Sequence, residues 1–255
     1  MQAIIITLFS LNFIGVSART FTVTNSCSYT IWPAIFTDLN VGQAVPNHDT
    51  GWEAPAGSSV SFDVPGNWTA GRIWGRTGCD FSKQGPLSCV TGGCNGGLLC
   101  DPHTGTGVPP VTVAEWTLAA NQGGEDNYDL SVVDGFSVPM LVTPTGGCKA
   151  PVCATNLNTN CPQELALAGP DGKTVGCKSA CLIETDEQKK DSPNCCTGSH
   201  NVAATCPSSG VSHYSYFKDA CPTTYAYAYD DNTSLWTCPG ATQADYTVTF
   251  CPPAQ

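Results

Sequence analysis

Apolar and polar residues alternate along six short segments of this chain, and each segment ends near Gly, Pro, Asn or Cys. Such alternation, with β-branched and aromatic residues, is typical of β-strands that bury one face. The six predicted strands are residues 21–25, 29–32, 59–65, 116–118, 128–133 and 246–250. They follow one another without long helical patterns between them, so we expect a β-sandwich and not a parallel α/β sheet.

Two cysteine-rich regions interrupt the strand pattern. Residues 79–110 hold four cysteines in a Gly-rich stretch, which suits a small lobe of short closed loops. Residues 148–221 hold nine cysteines, and two short helices are expected there, near 179–184 and 215–220. Little apolar surface is available in this second region, so disulfides must replace part of the burial that normally stabilises a domain.

The N-terminal segment is typical of a secretory signal peptide. An apolar run begins at Ala3 and is followed by small residues that end at Ala18. The run is too short to span a membrane comfortably, so we expect residues 1–18 to be a signal peptide that is removed after Ala18. The mature protein would then be secreted to the cell exterior or cell wall. Two sequons, at Asn67 and Asn232, are candidate glycosylation sites in such a protein.

The sixteen cysteines indicate the same compartment. Reducing cytosol does not maintain so many disulfides, whereas secreted proteins use them routinely. The even count predicts eight bridges and no free thiol. A metal cluster near Cys177, Cys181 and His200 is the alternative, but the sequence has no paired CxxC knuckles to hold one. We therefore expect neither a metal site nor a cofactor.

The acidic balance limits the partners. The chain has 21 Asp and Glu against 10 Lys and Arg, a formal net charge of -11. Such a surface repels phosphate backbones and anionic lipid headgroups, so nucleic-acid binding and membrane insertion are disfavoured. Neutral polymers such as glucans remain available as partners.

Five longer motifs follow one another along the chain between and beside the cysteines. They are residues 71–79 (GRIWGRTGC), 109–116 (PPVTVAEW), 134–140 (DGFSVPM), 227–231 (YAYDD) and 246–252 (YTVTFCP). Together with the order of the sixteen cysteines, they resemble the thaumatin-like protein family, the group 5 type of pathogenesis-related proteins. The resemblance covers the whole mature chain. The size of the chain and its segment 32–38 look closer to fungal-type, glucan-active members.

The resemblance implies a mainly β fold. Its parts are a flattened antiparallel β-sandwich, a disulfide-rich lobe of loops and short helices, and a small third lobe, with a cleft between the first two. In the thaumatin-like domain, residues 19–255, the sandwich would comprise about residues 19–78, 111–147 and 222–255, the small lobe about 79–110, and the disulfide-rich lobe about 148–221.

The resemblance also implies how the cysteines pair, which sequence spacing alone leaves open. The implied pairs are Cys27 with Cys251, Cys79 with Cys89, Cys94 with Cys100, Cys148 with Cys238, Cys153 with Cys221, Cys161 with Cys177, Cys181 with Cys195, and Cys196 with Cys206.

Glucan-active or antifungal members of the family carry one Arg, one Glu and three Asp in the cleft. The matching positions in this chain are Arg72, Glu115, Asp129, Asp134 and Asp230. Asp231 adjoins the last position and stays an alternative for it. The five-residue spacing of Asp129 and Asp134 would put them on opposite faces of a regular strand. A bulge or turn must therefore separate them if both line the cleft.

Two carboxyl groups are sufficient to hydrolyse a glycosidic bond, if one is protonated and the other ionised. Glu115 lies among apolar neighbours, so desolvation and nearby acids would raise its pKa and suit it as the acid. Asp134 stands where a strand is expected to end, and we assign it the second catalytic role. Arg72 would hold one carboxylate ionised, and with Asp129 and Asp230 it would bind substrate.

The resemblance and this chemistry favour a secreted protein that acts on β-1,3-glucan in cell walls, a weak endo-β-1,3-glucanase and thus a glycoside hydrolase. The alternative is a non-catalytic β-1,3-glucan-binding or antifungal defence protein, because the family includes both kinds. The expected oligomeric state is a monomer. Other enzyme classes have no support, since the sequence contains neither a G-x-S-x-G elbow nor a phosphate-binding loop of the G-x-x-x-x-G-K-[ST] type.

Overall fold

The computed structural model describes residues 17–253. The predicted signal peptide, residues 1–18, lies outside this range except for its last two residues. Within the described range no helix is both long and apolar enough to cross a membrane.

Twelve strands and two short α-helices form the described chain. The strands are β1 (Ala18–Asn25), β2 (Trp32–Thr37), β3 (Ser59–Pro65), β4 (Gly71–Arg76), β5 (Val113–Thr117), β6 (Glu125–Ser131), β7 (Met140–Pro144), β8 (Val152–Cys153), β9 (Ala166–Ala168), β10 (Thr174–Cys177), β11 (Trp236–Pro239) and β12 (Tyr246–Phe250). The α-helices are α1 (Tyr214–Ala220) and α2 (Asp231–Ser234). Short 3-10 turns cover Gly85–Ser88, Leu157–Asn160, Cys181–Ile183, Gln188–Lys190, Gly198–His200, Ser208–Gly210 and Gly240–Thr242.

Two five-stranded sheets form the sandwich. The first has the strand order β3-β1-β12-β7-β8, and the second has the order β11-β6-β5-β4-β2. The mainly β fold class is confirmed, with one exception to the expected antiparallel pairing. β1 and β12 run parallel, with Phe21 opposite Tyr246 and Asn25 opposite Phe250. The first and last strands thus lie side by side at the centre of one sheet, and the Cys27–Cys251 disulfide joins them just beyond their ends.

The inner faces of the two sheets form an aromatic core. Phe21 of β1 contacts Trp68, Trp116 and Tyr246, with ring centroids 5.1–5.5 Å apart. All four rings are almost fully buried. Burying large aromatic side chains provides much of the driving force for folding, and edge-to-face pairs add to it. Successive side chains of β1 and β12 point alternately into this core and away from it, which explains the alternation in their sequences.

β2 differs from the expectation of a strand at 29–32, because it covers Trp32–Thr37 instead. Five of its six residues are buried, so its sequence does not alternate. The outer face of this part of the second sheet is covered by the small lobe, where Phe36 and Trp74 pack with Cys94 and Cys100. A strand that is buried on both faces loses the period-2 signal.

The disulfide-rich region and adjoining residues of the sandwich share a second, smaller core. Phe136, Leu157, Leu165 and Phe217 are buried together with several cysteines. Helix α1, Tyr214–Ala220, agrees with the helix expected at 215–220. The helix expected at 179–184 is reduced to the 3-10 turn Cys181–Ile183.

The structure joins all sixteen cysteines in the eight pairs that the family resemblance implies, from Cys27–Cys251 to Cys196–Cys206. No cysteine within residues 17–253 is free. Four of the eight bridges lie wholly within residues 148–221. This is where the apolar core is smallest.

Replacing both Cys161 and Cys177 by serine is expected to lower the free energy of unfolding by about 2–5 kcal/mol, the usual range for a native disulfide. Cys177 is fully buried in the small core, so the change also places a polar hydroxyl there. Thermal unfolding measures the effect, with the double serine variant of the more exposed pair Cys79 and Cys89 as the control. An unchanged melting temperature would show that packing holds this region without the bridge.

Candidate active site

Three charged residues lie in a row across neighbouring strands of the second sheet. Arg72 on β4 is the cross-strand partner of Glu115 on β5, and Glu115 is the partner of Asp129 on β6. Their chain neighbours Ile73 and Ala114 point into the aromatic core, so the three charged side chains occupy the opposite, outer face. Cross-strand partners have Cβ atoms about 4.5–5.5 Å apart. The strand register therefore brings the row together.

Arg72 and Glu115 form an ion pair. The distance from Nη2 of Arg72 to Oε1 of Glu115 is 3.0 Å, and the two side chains are 31% and 35% exposed. An ion pair this exposed contributes little to stability, typically below about 1 kcal/mol. Its consequence is local, because it orients Glu115 and favours the ionised form of its carboxyl group. Burial raises the pKa of Glu115, and Arg72 acts against that rise.

Asp129 has no cation paired with it among the described residues. Its Oδ1 atom is buried and has no hydrogen-bond partner within the same range. Burial raises the pKa of Asp129 well above its usual range, and the charge of Glu115 raises it further, whereas Arg72 opposes the shift. Two carboxyl groups side by side cannot both ionise easily. Asp129 is therefore the carboxyl in the row that most readily keeps its proton.

Asp134 reaches the same place from a turn. β6 ends at Ser131, and the chain reverses through Gly135, whose φ of 79° is a conformation that glycine adopts without strain. This turn resolves the odd spacing between Asp129 and Asp134. Burial raises the pKa of Asp134, Arg72 opposes that rise, and the charge of Asp134 in turn raises the pKa of Glu115. Arg72 thus lies within electrostatic reach of three carboxyl groups.

Asp230, which the family resemblance implies for the cleft, makes its contacts with Lys218, Tyr214 and Ala226. It is 5% exposed, and its Oδ2 atom is 2.9 Å from Nζ of Lys218. The same carboxylate accepts hydrogen bonds from the Tyr214 hydroxyl and the Ala226 amide. These contacts face the disulfide-rich region, where Asp230 ties α1 to the segment before α2.

Asp231, the alternative for that position, lies closer in its electrostatic effect to the carboxyl row. Its side chain is exposed, and its Oδ1 atom accepts a hydrogen bond from the Tyr225 hydroxyl at 3.0 Å. The charge of Asp231 is one of the causes that raise the pKa of Asp129, so the two carboxyl groups lie within electrostatic reach. The sequence contained both candidates, but neighbouring residues in a loop have no periodicity that separates them.

The row borders an open groove of about 310 Å³, which we call the acidic groove. Beside Arg72, Glu115 and Asp129, its lining includes Asp38, Thr117, Asn127 and Leu235. All of these residues belong to the part of the chain expected to form the sandwich. Within residues 17–253, no cluster of three or more His, Cys, Asp or Glu side chains is arranged to hold a metal ion.

Both sequons are at the surface. Asn67 is exposed in the turn between β3 and β4, and Asn232 is exposed in α2, one residue after Asp231. In each sequon a neighbouring side chain is buried, Trp68 in the first and Ser234 in the second.

Comparison with known proteins identifies the family to which this chain belongs. The sequence model described as the Thaumatin family matches residues 25–252, so the chain belongs to the thaumatin family. It is 43% identical over 251 residues to thaumatin-like protein 1a of Malus domestica, covering 97% of this chain and 96% of the relative. It is 42% identical over 253 residues to pathogenesis-related protein 5 of Arabidopsis thaliana, covering 98% and 97%.

A further relative has an enzyme name. The chain is 41% identical over 247 residues to a protein of Prunus avium named glucan endo-1,3-beta-glucosidase, covering 95% of this chain and 94% of the relative. These three relatives are plant proteins, so they give no support to the expected closeness to fungal-type members.

One solved structure is similar in fold. A laminaripentaose-producing β-1,3-glucanase in complex with laminaritetraose superposes with a TM-score of 0.54, covering 92% of this chain and 99% of that one. The two sequences are 13% identical, so the likeness concerns the fold alone.

Proposed function

We propose that this protein binds β-1,3-glucan in the acidic groove and hydrolyses it slowly as an endo-acting glycoside hydrolase. The observation that carries the proposal is the row Arg72–Glu115–Asp129, in which one carboxyl is ion-paired and the next has a buried oxygen without a partner among the described residues. The relative named glucan endo-1,3-beta-glucosidase supports the choice of polymer and reaction.

The environments of the carboxyl groups give reason to revise the roles expected from the sequence. Glu115 was expected to be the acid and Asp134 the second carboxyl. In the proposed mechanism Glu115 is the ionised group, because Arg72 lies 3.0 Å from it. Asp129 holds the proton, because burial and Glu115 both raise its pKa. Asp134 and Asp231 add negative charge around the pair and help to hold the sugar hydroxyls.

Besides the glucan, the chemistry needs only one water molecule, whose oxygen becomes the hydroxyl of the new reducing end. Asp129 donates its proton to the glycosidic oxygen as the bond to the leaving sugar breaks. At the anomeric carbon, where positive charge develops, the ionised Glu115 either forms a covalent bond that water then hydrolyses or removes a proton from the attacking water. Arg72 keeps Glu115 ionised and aimed at that carbon. This division follows the general pattern of two titratable groups whose environments separate their pKa values.

A neutral substrate fits the electrostatics of the molecule. The net charge of -11 and the surplus of carboxyl groups in the groove repel anionic polymers, whereas an uncharged glucan can donate hydroxyl hydrogen bonds to carboxylates. Secretion and a monomeric state are part of the proposal, and the eight disulfides support the secreted location.

Two readouts test the proposal together: release of reducing ends from soluble β-1,3-glucan, and retention of the protein on the insoluble polymer, with cellulose as the control for linkage. The proposal predicts both release and retention on β-1,3-glucan. Firm retention without reducing ends would instead establish the second candidate function, a non-catalytic glucan-binding protein. Most of the similar proteins have names that state the family and no enzyme activity, and this supports the non-catalytic function as the second candidate. If the protein neither releases reducing ends nor is retained on the polymer, both candidate functions are contradicted.

A further inference from the structure

A second groove, separate from the acidic groove, lies where the three parts of the molecule meet. We call it the neutral groove, and its volume is about 380 Å³. Its walls include Tyr29 of the sandwich, Val90 of the small lobe, and Asn156 and Thr174 of the disulfide-rich region. It shares no lining residue with the acidic groove. Sites for small ligands commonly have volumes of about 300–1,000 Å³ and lie where structural units meet.

The lining of the neutral groove carries no charge. All ten residues that line it are uncharged, although this chain has 21 acidic and 10 basic side chains. Hydroxyl and amide groups alternate with Val, Pro and the tyrosine ring. This chemistry is unsuited to an ion and suited to a ligand that has apolar faces and many hydroxyl groups.

Tyr29 supplies an aromatic face and a hydroxyl group. Its side chain is 48% exposed, and the nearest partner of its hydroxyl is the Cys251 sulfur at 3.8 Å, a weak acceptor. Burial of part of the residue raises the pKa of Tyr29, so the hydroxyl remains a donor. An exposed tyrosine can stack its ring on a sugar and hydrogen-bond at its polar end.

Two asparagines on the opposite wall have unused hydrogen-bonding capacity. Asn158 donates from Nδ2 to the Ser137 carbonyl at 2.9 Å, but its buried Oδ1 atom has no partner among the described residues. Asn156 accepts a hydrogen bond at Oδ1 from the backbone N–H of Asn158. Its Nδ2 group donates to no partner among the described residues. Buried polar atoms are normally satisfied, so the buried Oδ1 atom of Asn158 beside this groove indicates a polar ligand or water.

We propose that the neutral groove is a second saccharide-binding site, which takes a short stretch of uncharged glucan away from the carboxyl row. The choice of β-1,3-glucan as its ligand rests on the proposed function. Thr77 of the neutral groove follows β4 five residues after Arg72, so the two sites are about 17 Å apart along the strand direction. The second site would anchor the polymer while the acidic groove acts on another part of it.

Amide chemical-shift mapping with a short soluble β-1,3-gluco-oligosaccharide tests the site in the wild-type protein. We expect shifts of Val90, Thr174 and Val175 at the neutral groove, in addition to those at the acidic groove. Shifts confined to the acidic groove would overturn this proposal and leave the proposed function intact. Shifts confined to the neutral groove would uphold this site while the proposed function fails.

Retention on insoluble β-1,3-glucan gives the energetic test. Tyr29→Ala is expected to weaken retention about three- to tenfold, the usual effect of one aromatic contact, and Tyr29→Phe less, because it keeps the ring. Thr174→Arg, which fills the groove, should weaken it at least as much. Leu87→Ala is the control, since Leu87 is 81% exposed and lines neither groove. Wild-type retention of both Tyr29→Ala and Thr174→Arg, with unchanged melting temperatures, would refute the site.

Discussion

Asp129→Asn is expected to slow the release of reducing ends from soluble β-1,3-glucan by roughly 10²- to 10⁴-fold, the usual contribution of general acid catalysis. The substitution keeps the shape of the side chain and removes only its proton-donating carboxyl. Asp129 is half-buried on the outer face of the sheet, so the fold should tolerate the change. Retention on the insoluble polymer should persist, because most of the groove is unaltered.

Glu115→Gln should cause a loss of the same order, since it removes the ionised carboxyl and leaves Arg72 without its partner. Asp38→Asn is the matched control: it removes a carboxyl from the same groove but outside the row, and Asp38 already accepts a hydrogen bond from its neighbour Asn40. It should change the rate only slightly. If Asp134→Asn abolishes activity while Asp129→Asn does not, the second catalytic role belongs to Asp134, as the sequence predicts.

Lys218→Met is expected to lower the free energy of unfolding by about 3–5 kcal/mol, because it leaves Asp230 as an unpaired charge in a buried site. Lys218 is 12% exposed and Asp230 5% exposed, and the Lys218 ammonium also donates to the Thr224 carbonyl and the Ser234 hydroxyl. Urea unfolding measures the change. The segment that carries Tyr225 and Asp231 should loosen with it.

The exposed pair Lys190–Glu187 provides the control for this prediction. Its side chains are 70% and 84% exposed, so Lys190→Met should change stability by less than about 1 kcal/mol. Adding Asp230→Asn to Lys218→Met should recover part of the loss, since the buried charge is then removed. A Lys218→Met protein as stable as the wild type would show that Asp230 is not held by this ion pair.

The sequence predicts strands well where one face of the strand is buried and the other is exposed. β3 and β12 have the predicted bounds because their residues alternate between the core and solvent. The bounds of β2 were predicted wrongly because the small lobe covers its outer face and removes the alternation. The parallel pairing of β1 with β12 joins residues more than 200 positions apart, and local pattern carries no information about it.

For the candidate site, the sequence also predicted some features, the identity of the residues, and not others, how they pair. Arg72, Glu115, Asp129 and Asp134 were named through motifs that resemble a family, and the structure places the three carboxyl groups within electrostatic reach of the arginine. Which carboxyl is paired with Arg72 depends on the register of β4, β5 and β6, which alternation cannot supply. The choice between Asp230 and Asp231 depends on which of two adjacent side chains meets Lys218, and only the folded chain decides that.

The central claim is that Asp129 holds the catalytic proton beside an ionised Glu115, and the pH dependence of glucan hydrolysis tests it most directly. Reducing-end release by the wild-type protein should persist above the ordinary aspartate pKa of about 3.9. It should then fall as the pH rises through the raised pKa of Asp129, because the acid form is lost. In Asp129→Asn the remaining activity should lack this descending limb. Release that is absent at every pH, or a descending limb that Asp129→Asn leaves unchanged, would contradict the account.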